Sequence, residues 1–564
     1  MTAENTHKVS YGAITEVGES IHAEKYRGTN ENFYDAMSRV AAPLSDSDIH
    51  RKQFKEILLN QRFMPAGRIQ SAIGSPRRVT PYNCFVSGKI EDSFDDIMTM
   101  AHEAGKTMRM GGGIGYGFSN LRPRGSLIKS LDSVSSGAVS FMGIFDAVCK
   151  TISSSGHRRG AQMAVLRVDH PDIEEFIRSK QNSGVLTDFN ISVGITDDFM
   201  KAVKDEKPFD LTFEGQVYKT IDAAALWEEI MRSTWDWAEP GVFFLDRVNG
   251  DNNLHYCEEI ETCNPCGEQP LPAYGACLLG SFNLTKYLSG EEDNWSFDFK
   301  KFETDIPAVV RAMDNVVDKA AYPMPQQEAE AKSKRRMGLG ITGLANAGEA
   351  VGCPYGSEKF IDFQTKVMRT LRDLAYLTST DLAEEKGSFP LFNAEQYLQG
   401  KFIKKLPKPI QDAIARKGMR NSHLLSIAPT GTISLSADNV SSGIEPVFAY
   451  STQRTIQKFD GAVIAEVQDY GYSVLGVKGK ETEFVTPAEH LAVLLTAQKY
   501  VDSAVSKTCN VGDDTTWDEF KNIYYDAWKG GAKGITTFRA AGKRFGILNK
   551  SPDTVACSIT GSCE

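Results

Sequence analysis

The sequence lacks the marks of membrane, secreted and nucleic-acid-binding proteins. No uninterrupted apolar run approaches the roughly 20 residues that span a bilayer, so we expect no membrane association. Residues 1–20 have no basic start followed by an apolar stretch, which predicts no secretory signal and a cytoplasmic protein. Lys and Arg number 63 against 73 Asp and Glu, and this formal net charge of −10 argues against a nucleic acid polymer as partner.

Cysteine is too sparse to build a disulfide scaffold. Ten cysteines are scattered over 564 residues of a chain with no visible secretory signal. Any cluster of them therefore requires a catalytic or metal-binding explanation.

The composition that remains is that of a globular protein, with 41% apolar and 24% charged residues. Between about 76 and 540, strand-like runs such as 163–168 and 189–195 alternate with amphipathic helical stretches such as 362–387, which favours an α/β fold. We predict an N-terminal tail and helical segment over 1–75, with Asp46 and Asp48 as capping residues, and a catalytic region over 76–540. The polar residues 541–564 predict a mobile tail.

The densest chemistry lies between residues 261 and 284. Cys263, Cys266 and Cys277 occur there with Asn264 and Glu268. Pro265 and Gly267 flank Cys266, which predicts a tight irregular loop rather than a helix or strand. The spacing of Cys263 and Cys266 also suits a zinc site, with Cys257 and Cys277 as further ligands, or a redox pair. The spacing alone does not decide among these three.

Two glycine-containing segments invite nucleotide assignments. Residues 429–434, PTGTIS, offer hydroxyls and backbone N–H groups in a turn that could meet a helix N-terminus and bind phosphate, although most such turns are structural. Residues 338–343, GLGITG, match GxGxxG. A charged, helix-like stretch precedes them, so we reject a dinucleotide site and attribute the glycines to close backbone packing.

The segments 264–268, 274–277 and 280–284 resemble the finger-loop region of ribonucleotide reductases. The resemblance covers roughly residues 55 to 545 and includes, in the family's order, 82–85, 111–125, 156–160, 335–340 and 428–434. It implies a ten-stranded α/β barrel of two parallel five-stranded halves, with a finger loop through its centre. It also implies the reduction of ribonucleotides to deoxyribonucleotides by a radical mechanism.

The resemblance assigns roles to the cysteines and their neighbours. Cys266 would carry a thiyl radical, Glu268 would act as general base, and Asn264 would hold the ribose hydroxyls. Cys84 and Cys277 would supply two electrons by forming a disulfide. Cys557 and Cys563 in the tail would shuttle electrons from a thioredoxin- or glutaredoxin-type reductant. Substrate contacts are implied for Asn83, Pro429, Thr430, Gly431, Thr432, Ile433 and Ser434.

Effector control is a further implication of the resemblance. Asp92 and Arg122 match contacts to the ribose and phosphate of a deoxynucleotide or ATP effector, and 181–190 resembles the loop that signals to the substrate base. Without the family, Asp92 would be an acid at a helix start and Arg122 a surface cation. Too few residues precede the helical segment for the family's ATP-binding cone, so we expect no general shut-off by dATP. The resemblance allows a homodimer.

The radical source is inferred by elimination among the family branches. The strand 534–539 has no tyrosine pair, and Tyr524 and Tyr525 are predicted to pack on a helix before it. A glycyl-radical loop is not evident. The branch that uses adenosylcobalamin remains, with no base-off cobalamin motif because Asp48, Ile49 and His50 are followed by RKQ. The alternatives are a catalytic subunit that needs a radical-generating partner, and a zinc-binding nucleotide sensor.

Overall fold

The computed structural model describes residues 11–153, 161–181, 184–292, 294–458, 461–512, 514–539 and 542. The predicted shuttle cysteines Cys557 and Cys563, and the motif 156–160, lie outside the described residues. No helix within these described ranges is long and apolar enough to cross a membrane.

The N-terminal segment is helical and is joined to the rest of the protein by a short strand. Its elements are α1 (Glu16–Tyr26), α2 (Phe33–Ala41), α3 (Asp48–Leu59), β1 (Phe63–Pro65) and α4 (Gly67–Ala72). The side chain of Ser47 caps α3 by accepting from the N–H of His50, whereas Asp48 lies in the first turn and Asp46 pairs with Arg311 and Lys386. The prediction of Asp46 and Asp48 as capping residues was therefore wrong by one position, and serine hydroxyls cap well.

The first half of the main body is built on five parallel strands, β2-β3-β6-β7-β10 in spatial order. Strand β6 is buried along nearly its whole length and β7 matches the predicted run 189–195. Such continuous apolar runs are expected of parallel strands covered on both faces. The elements are β2 (Cys84–Val86), α5 (Phe94–Arg109), β3 (Gly113–Gly117), β4 (Leu127–Ile128), β5 (Ser133–Val134), α6 (Ala138–Ser153), β6 (Gln162–Arg167), α7 (Ile173–Arg178), β7 (Phe189–Ile195), α8 (Asp197–Lys204), β8 (Pro208–Phe213), β9 (Gln216–Asp222), α9 (Ala223–Trp237), β10 (Gly241–Phe244) and α10 (Leu245–Gly250).

The second half repeats the strand–helix alternation with longer helices. Its elements are β11 (Thr262–Cys263), β12 (Pro270–Leu271), β13 (Leu279–Asn283), β14 (Leu288–Ser289), β15 (Ser296–Phe297), α11 (Phe299–Lys319), α12 (Pro325–Lys334), β16 (Gly338–Thr342), α13 (Leu344–Ala350), α14 (Glu358–Lys386), α15 (Ala394–Gln399), α16 (Lys401–Lys404), α17 (Lys408–Lys417), α18 (Gly431–Leu435), β17 (Ser451–Lys458), β18 (Gly461–Gln468), α19 (Tyr470–Ser473), α20 (Pro487–Gln498), β19 (Thr508–Val511), α21 (Trp517–Gly530) and β20 (Gly534–Arg539). Strands β13 and β16 are parallel, as are β19 and β20.

The two halves meet in antiparallel contacts. Strand β20 pairs antiparallel with β10, and Phe85 in β2 forms an antiparallel bridge to Ala276, just before β13. Parallel bridges between Leu339 and Leu425, and between Ile427 and Val505, continue the second half from β16 towards β19. The result is a mixed α/β fold with parallel strands in both halves, which confirms the α/β class predicted from the alternation of strand-like and helical stretches.

The GxGxxG segment lies in strand β16, where its glycines allow close packing. A Cβ added to Gly340 would lie 2.4 Å from the carbonyl oxygen of Ser426. Any side chain at Gly340 would therefore push strand β16 away from the neighbouring segment at Ser426. Backbone packing explains this glycine, as predicted.

Candidate active site

A short hairpin, β11 and β12, presents the loop 264–269 that carries Cys266. Thr262 pairs with Leu271 and Cys263 with Pro270. The backbone N–H of Asn264 donates to the carbonyl of Gln269 at 3.0 Å, and the N–H of Gln269 donates to Oδ1 of Asn264 at 2.9 Å. Gly267 has a φ of +80°, a value that glycine adopts without strain. Cys266 thus lies on the tight irregular loop that the sequence predicts.

The first half of the fold holds one side of this hairpin. A Cβ added to Gly115 would lie only 1.8 Å from the carbonyl oxygen of Cys263, so β3 can accept the hairpin only with glycine at that position. The Thr262 hydroxyl donates to the carbonyl of Tyr116 at 3.1 Å. Nδ2 of Asn190, in β7, donates to the carbonyl of Pro265 at 3.2 Å. The loop is therefore fixed against the inner strands.

The second half holds the other side. The N–H of Ala504 donates to the carbonyl of Glu268 at 2.9 Å. A Cβ added to Gly338 would lie 2.3 Å from Nε2 of Gln269 and 3.0 Å from Oγ of Ser426, so these two side chains approach the same backbone. The hairpin is thus packed between the two sets of strands.

Cys84 and Cys277 lie side by side although 193 positions separate them in the sequence. The N–H of Cys277 donates to the carbonyl of Cys84 at 2.8 Å, and both residues are buried thiols. Burial and the hydrogen-bonded Cys84 thiol raise the pKa of Cys277 well above the usual value. A Cβ added to Gly113 would lie 3.3 Å from Sγ of Cys84 and 3.2 Å from Cγ of Pro265, so this dithiol lies next to the loop of Cys266.

Several buried polar side chains at the site have unfilled hydrogen-bonding positions, those of Gln269 and Ser426 among them. Oε2 of Glu268, Nδ2 of Asn264 and Oδ1 of Asn83 have no partner among the described residues. Exposure of these side chains is 1%, 0% and 5%, so solvent does not satisfy them. Unpaired buried polar groups cost about 1–3 kcal/mol each and native proteins rarely keep them without a purpose. This group fits a polar ligand such as a ribose.

Burial sets the acidity of the groups around the loop. It raises the pKa of Glu268 to about 7, and the nearby Asn264 opposes only part of that rise. Burial also raises the pKa of the Cys263 thiol far above its usual value. Cys266 differs from both because it is partly exposed. The loop therefore joins an accessible thiol to a carboxyl group that can exchange a proton near neutral pH.

The four cysteines of the zinc hypothesis do not form a metal site. Cys257 is exposed, whereas Cys263 and Cys277 are buried. Across the described parts of the chain no group of three or more His, Cys, Asp or Glu side chains is arranged to hold a metal ion. The geometry therefore disfavours the zinc-binding interpretation.

The PTGTIS segment forms a turn that runs into α18. Thr430 has a φ of +55°, and its hydroxyl contacts that of Thr342 at 2.9 Å and accepts from the N–H of Gly443 at 2.7 Å. Ser434 donates to the carbonyl of Thr430 and contacts the Ser442 hydroxyl at 3.0 Å. Gly431, Thr432, Ile433 and Ser434 are buried, and Pro429 is partly exposed. The turn predicted to hold phosphate is thus braced by two neighbouring segments, strand β16 and residues 442–443.

Asp92 and Arg122, predicted to contact an effector, pair with each other. Nε of Arg122 lies 2.6 Å from Oδ2 of Asp92, and both side chains are partly exposed. Their role in effector binding stays a prediction. Tyr524 is buried in α21, where its hydroxyl contacts that of Thr537 in β20 at 2.7 Å, as expected of a packing residue.

Sequence reasoning assigned no active-site role to three residues in or beside the loop: Asn190, Gln269 and Ser426. Asn190 was included only as the last residue of the segment 181–190 that resembles an effector-signalling loop. A polar residue inside the apolar run 189–195 was a signal for Asn190. No local pattern distinguishes Gln269 or Ser426, because their proximity depends on how the two halves pack.

Comparisons with known proteins agree on one family. Residues 82–538 match the family model described as the ribonucleotide reductase, barrel domain. The chain is 34% identical to a vitamin B12-dependent ribonucleoside-diphosphate reductase of Mycobacterium tuberculosis, over 96% of this chain and 81% of the relative. A protein of the same name from Thermoplasma acidophilum is also 34% identical, over 92% of this chain and 69% of the relative. A vitamin B12-dependent ribonucleotide reductase of Streptomyces coelicolor is 28% identical, over 93% and 65%.

Proposed function

The chain belongs to the ribonucleotide reductase family, and from this premise we propose that it reduces ribonucleotides through a Cys266 thiyl radical initiated by adenosylcobalamin. One observation carries the proposal. A partly exposed thiol lies on a fixed loop, and this loop adjoins a buried dithiol and carries or adjoins buried polar groups that have no partner among the described residues. The names of the relatives favour ribonucleoside diphosphates as substrates.

In the proposed reaction each loop residue has one task. The Cys266 thiyl takes the C3′ hydrogen of the ribose, and Glu268 takes the proton of the 3′-hydroxyl. Asn264 and Asn83 form hydrogen bonds with the ribose hydroxyls and fix the orientation of the ribose. The 2′-hydroxyl leaves as water while Cys84 and Cys277 give up two electrons and two protons and become a disulfide. The C3′ hydrogen then returns from Cys266, so ribonucleotide and dithiol become deoxyribonucleotide, water and disulfide.

The tip of the loop leaves room for adenosylcobalamin to approach Cys266. Cys266 is partly exposed between the buried Asn264 and Glu268, and a Cβ added to Gly267 would meet no described atom within 4 Å. Cys266 and Gly267 are therefore the residues that would face the bound group. When bound, this cofactor supplies a one-electron oxidant for a thiol through homolysis of its cobalt–carbon bond. Water has to be kept from the thiyl, and the buried flanks of the loop serve that need.

We also propose that the strands close into a ten-stranded barrel over the predicted region 76–540. The parallel bridges at Leu339 and Ile427 would join the five strands of the second half, and the antiparallel contacts at β20 and Phe85 would join the halves on both sides. Closure would place the hairpin β11–β12 inside the ring.

The remaining assignments are proposals of the same kind. The turn 429–434 would bind the substrate phosphates, and Asp92 and Arg122 would contact a deoxynucleotide or ATP effector, in a homodimer or a monomer. Cys557 and Cys563 in the tail 541–564 would reopen the Cys84–Cys277 disulfide at the expense of a thioredoxin- or glutaredoxin-type protein. A cytoplasmic location would supply that reductant.

Serine variants of the cysteines test the proposal. With adenosylcobalamin and a small dithiol, Cys266→Ser should form no deoxynucleotide, since a hydroxyl does not replace a thiyl. Cys353→Ser, at a partly exposed position after α13, should stay within about twofold of the native rate. The double variant Cys557→Ser and Cys563→Ser should lose turnover with thioredoxin but retain it with the small dithiol. Product formation by Cys266→Ser would contradict the proposal.

A further inference from the structure

A buried ion pair holds strand β7 on both sides of Asn190. Nζ of Lys180 lies 2.6 Å from Oε2 of Glu239, and the two side chains are 9% and 10% exposed. Lys180 also donates to the carbonyl of Phe189. Oε1 of Glu239 accepts from the N–H of Ile191 at 3.2 Å. The ion pair thus binds the backbone on both sides of Asn190. Lys180 binds the residue before it, and Glu239 binds the residue after it.

The ion pair takes the place of a missing strand neighbour. Strand β10 begins at Gly241, which is opposite Ser192, so Phe189 and Ile191 extend beyond its start. Their carbonyl and N–H groups would be left unpaired at that edge, which is costly in a buried strand. Lys180 and Glu239 fill these two positions with side chains. Two charges are expensive to bury for that purpose alone, which points to a need for a fixed backbone at Asn190.

The side chain of Asn190 joins this fixed strand to the loop of Cys266. Its Nδ2 donates to the carbonyl of Pro265 at 3.2 Å, while the side chain is exposed between the buried Phe189 and Ile191. That carbonyl belongs to the planar peptide group that connects Pro265 to Cys266. The proline ring already restricts φ of Pro265. Holding this one oxygen therefore fixes the peptide plane from which Cys266 projects.

We propose that Asn190 is a positioning residue that sets the orientation of the Cys266 thiol, with the Lys180–Glu239 pair as its anchor. The inference rests on the proposed function for its catalytic consequence, but the geometry stands without it. Hydrogen abstraction demands close alignment of sulfur and C3′, and small misplacements of reacting atoms lower rates steeply. Asn190 would therefore affect the chemical step more than substrate binding.

The test uses the full chain and two readouts. Asn190→Asp replaces the donor with a carboxylate that repels the Pro265 carbonyl, and Asn190→Ala removes the contact without adding charge. Asn60→Asp is the matched control, since Asn60 is exposed at the end of α3. The first readout is the rate at which iodoacetamide alkylates Cys266, measured by mass spectrometry without cofactor or nucleotide. The second is kcat and KM for ribonucleotide reduction.

In both Asn190 variants, iodoacetamide should alkylate Cys266 faster, by about threefold or more. Both variants should also have a kcat about 10- to 100-fold lower than that of the native chain, with KM within about twofold. Asn60→Asp should match the native chain in both readouts. Glu239→Gln, which weakens the anchor, should shift alkylation in the same direction. An unchanged alkylation rate or an unchanged kcat in folded Asn190 variants would overturn the inference. If the native chain made no deoxynucleotide, the proposed function would fail while the alkylation rates would still decide the positioning role.

Discussion

At the scale of single residues, Glu268 combines burial with an unfilled hydrogen-bonding position. Its side chain is 1% exposed and burial raises its pKa to about 7. A carboxyl group titrating near neutral pH is well placed to accept a proton from a hydroxyl, because its charged and neutral forms are both accessible. The same burial disfavours the ionised Glu268 carboxylate in the folded state, so its ionisation lowers the stability of the protein.

We predict opposite effects of Glu268→Gln on catalysis and on stability. kcat/KM of the native chain should rise as pH increases through about 7, and the variant should lose about 10²- to 10⁴-fold of activity together with that rise. Because the folded pKa lies above the ordinary 4.5, the native chain should lose stability as pH rises between these values. The variant should therefore be more stable than the native chain at pH 8, by about 3 kcal/mol, and not at pH 4.

Urea unfolding at both pH values and rate measurements across pH check this prediction. Glu483→Gln, at an exposed position, is the matched control and should change neither property. Equal stability differences at both pH values would contradict the assigned pKa, and an active Glu268→Gln with an unaltered pH profile would contradict the base role.

Residue chemistry is what the sequence predicts best. The cysteine, asparagine and glutamate types in 263–268 by themselves indicate redox or metal chemistry, and their spacing leaves zinc open. Only the fold disfavours a shared metal site, because Cys257 is exposed whereas Cys263 and Cys277 are buried. The contact of Asn190 with Pro265 joins positions 75 residues apart, so no local pattern identifies Pro265 as the partner of Asn190.

At the scale of elements, a hydroxyl network braces the turn 429–434 from strand β16. Thr342 is fully buried, contacts the Thr430 hydroxyl at 2.9 Å and donates to the carbonyl of Ser441 at 3.1 Å. Asn346 extends the network by accepting from the N–H of Ser441 at 2.6 Å. Buried networks of this kind fix a loop in one conformation when each member is satisfied.

We predict that Thr342→Val raises KM for the nucleotide several-fold with a smaller change in kcat. The valine removes the hydroxyl that braces Thr430, so the proposed phosphate turn loosens while the Cys266 loop is untouched. Loss of the buried hydroxyl should lower the free energy of unfolding by about 1–3 kcal/mol. Thr380→Val in α14 is the control, because Thr380 is also buried but bonds only within its helix.

Steady-state kinetics of both variants check the assignment. A KM that rises equally in Thr342→Val and Thr380→Val would attribute the effect to general destabilisation. An unchanged KM in Thr342→Val would contradict the phosphate-binding role of the turn.

Elements with strong apolar runs were predictable, and elements defined by pairing were not. The run 189–195 coincides with β7, and the helix before 534–539 coincides with α21. The cap of α3 was misassigned because Asp46, Ser47 and Asp48 are all good capping residues and only side-chain geometry separates them. The segments around Leu425 and Val505 pair through single bridges, which no local pattern reveals.

At the scale of the whole molecule, the fold brings remote parts of the chain to one point. Strands β2 and β3, the hairpin β11–β12, the start of β16 and the segment at Ala504 all contribute to the surroundings of Cys266. The resemblance implied this convergence, whereas composition and periodicity predicted only an α/β fold. The radical source also concerns the whole molecule, because it decides whether this chain can reduce ribonucleotides alone or needs a second, radical-generating protein.

The most direct test of initiation by adenosylcobalamin is deoxynucleotide formation by the isolated chain, with a small dithiol, in the presence and absence of this cofactor. Product should form only when the cofactor is present, with no second protein required. Product formation without the cofactor, or none with it until a radical-generating partner is added, would contradict the proposed radical source.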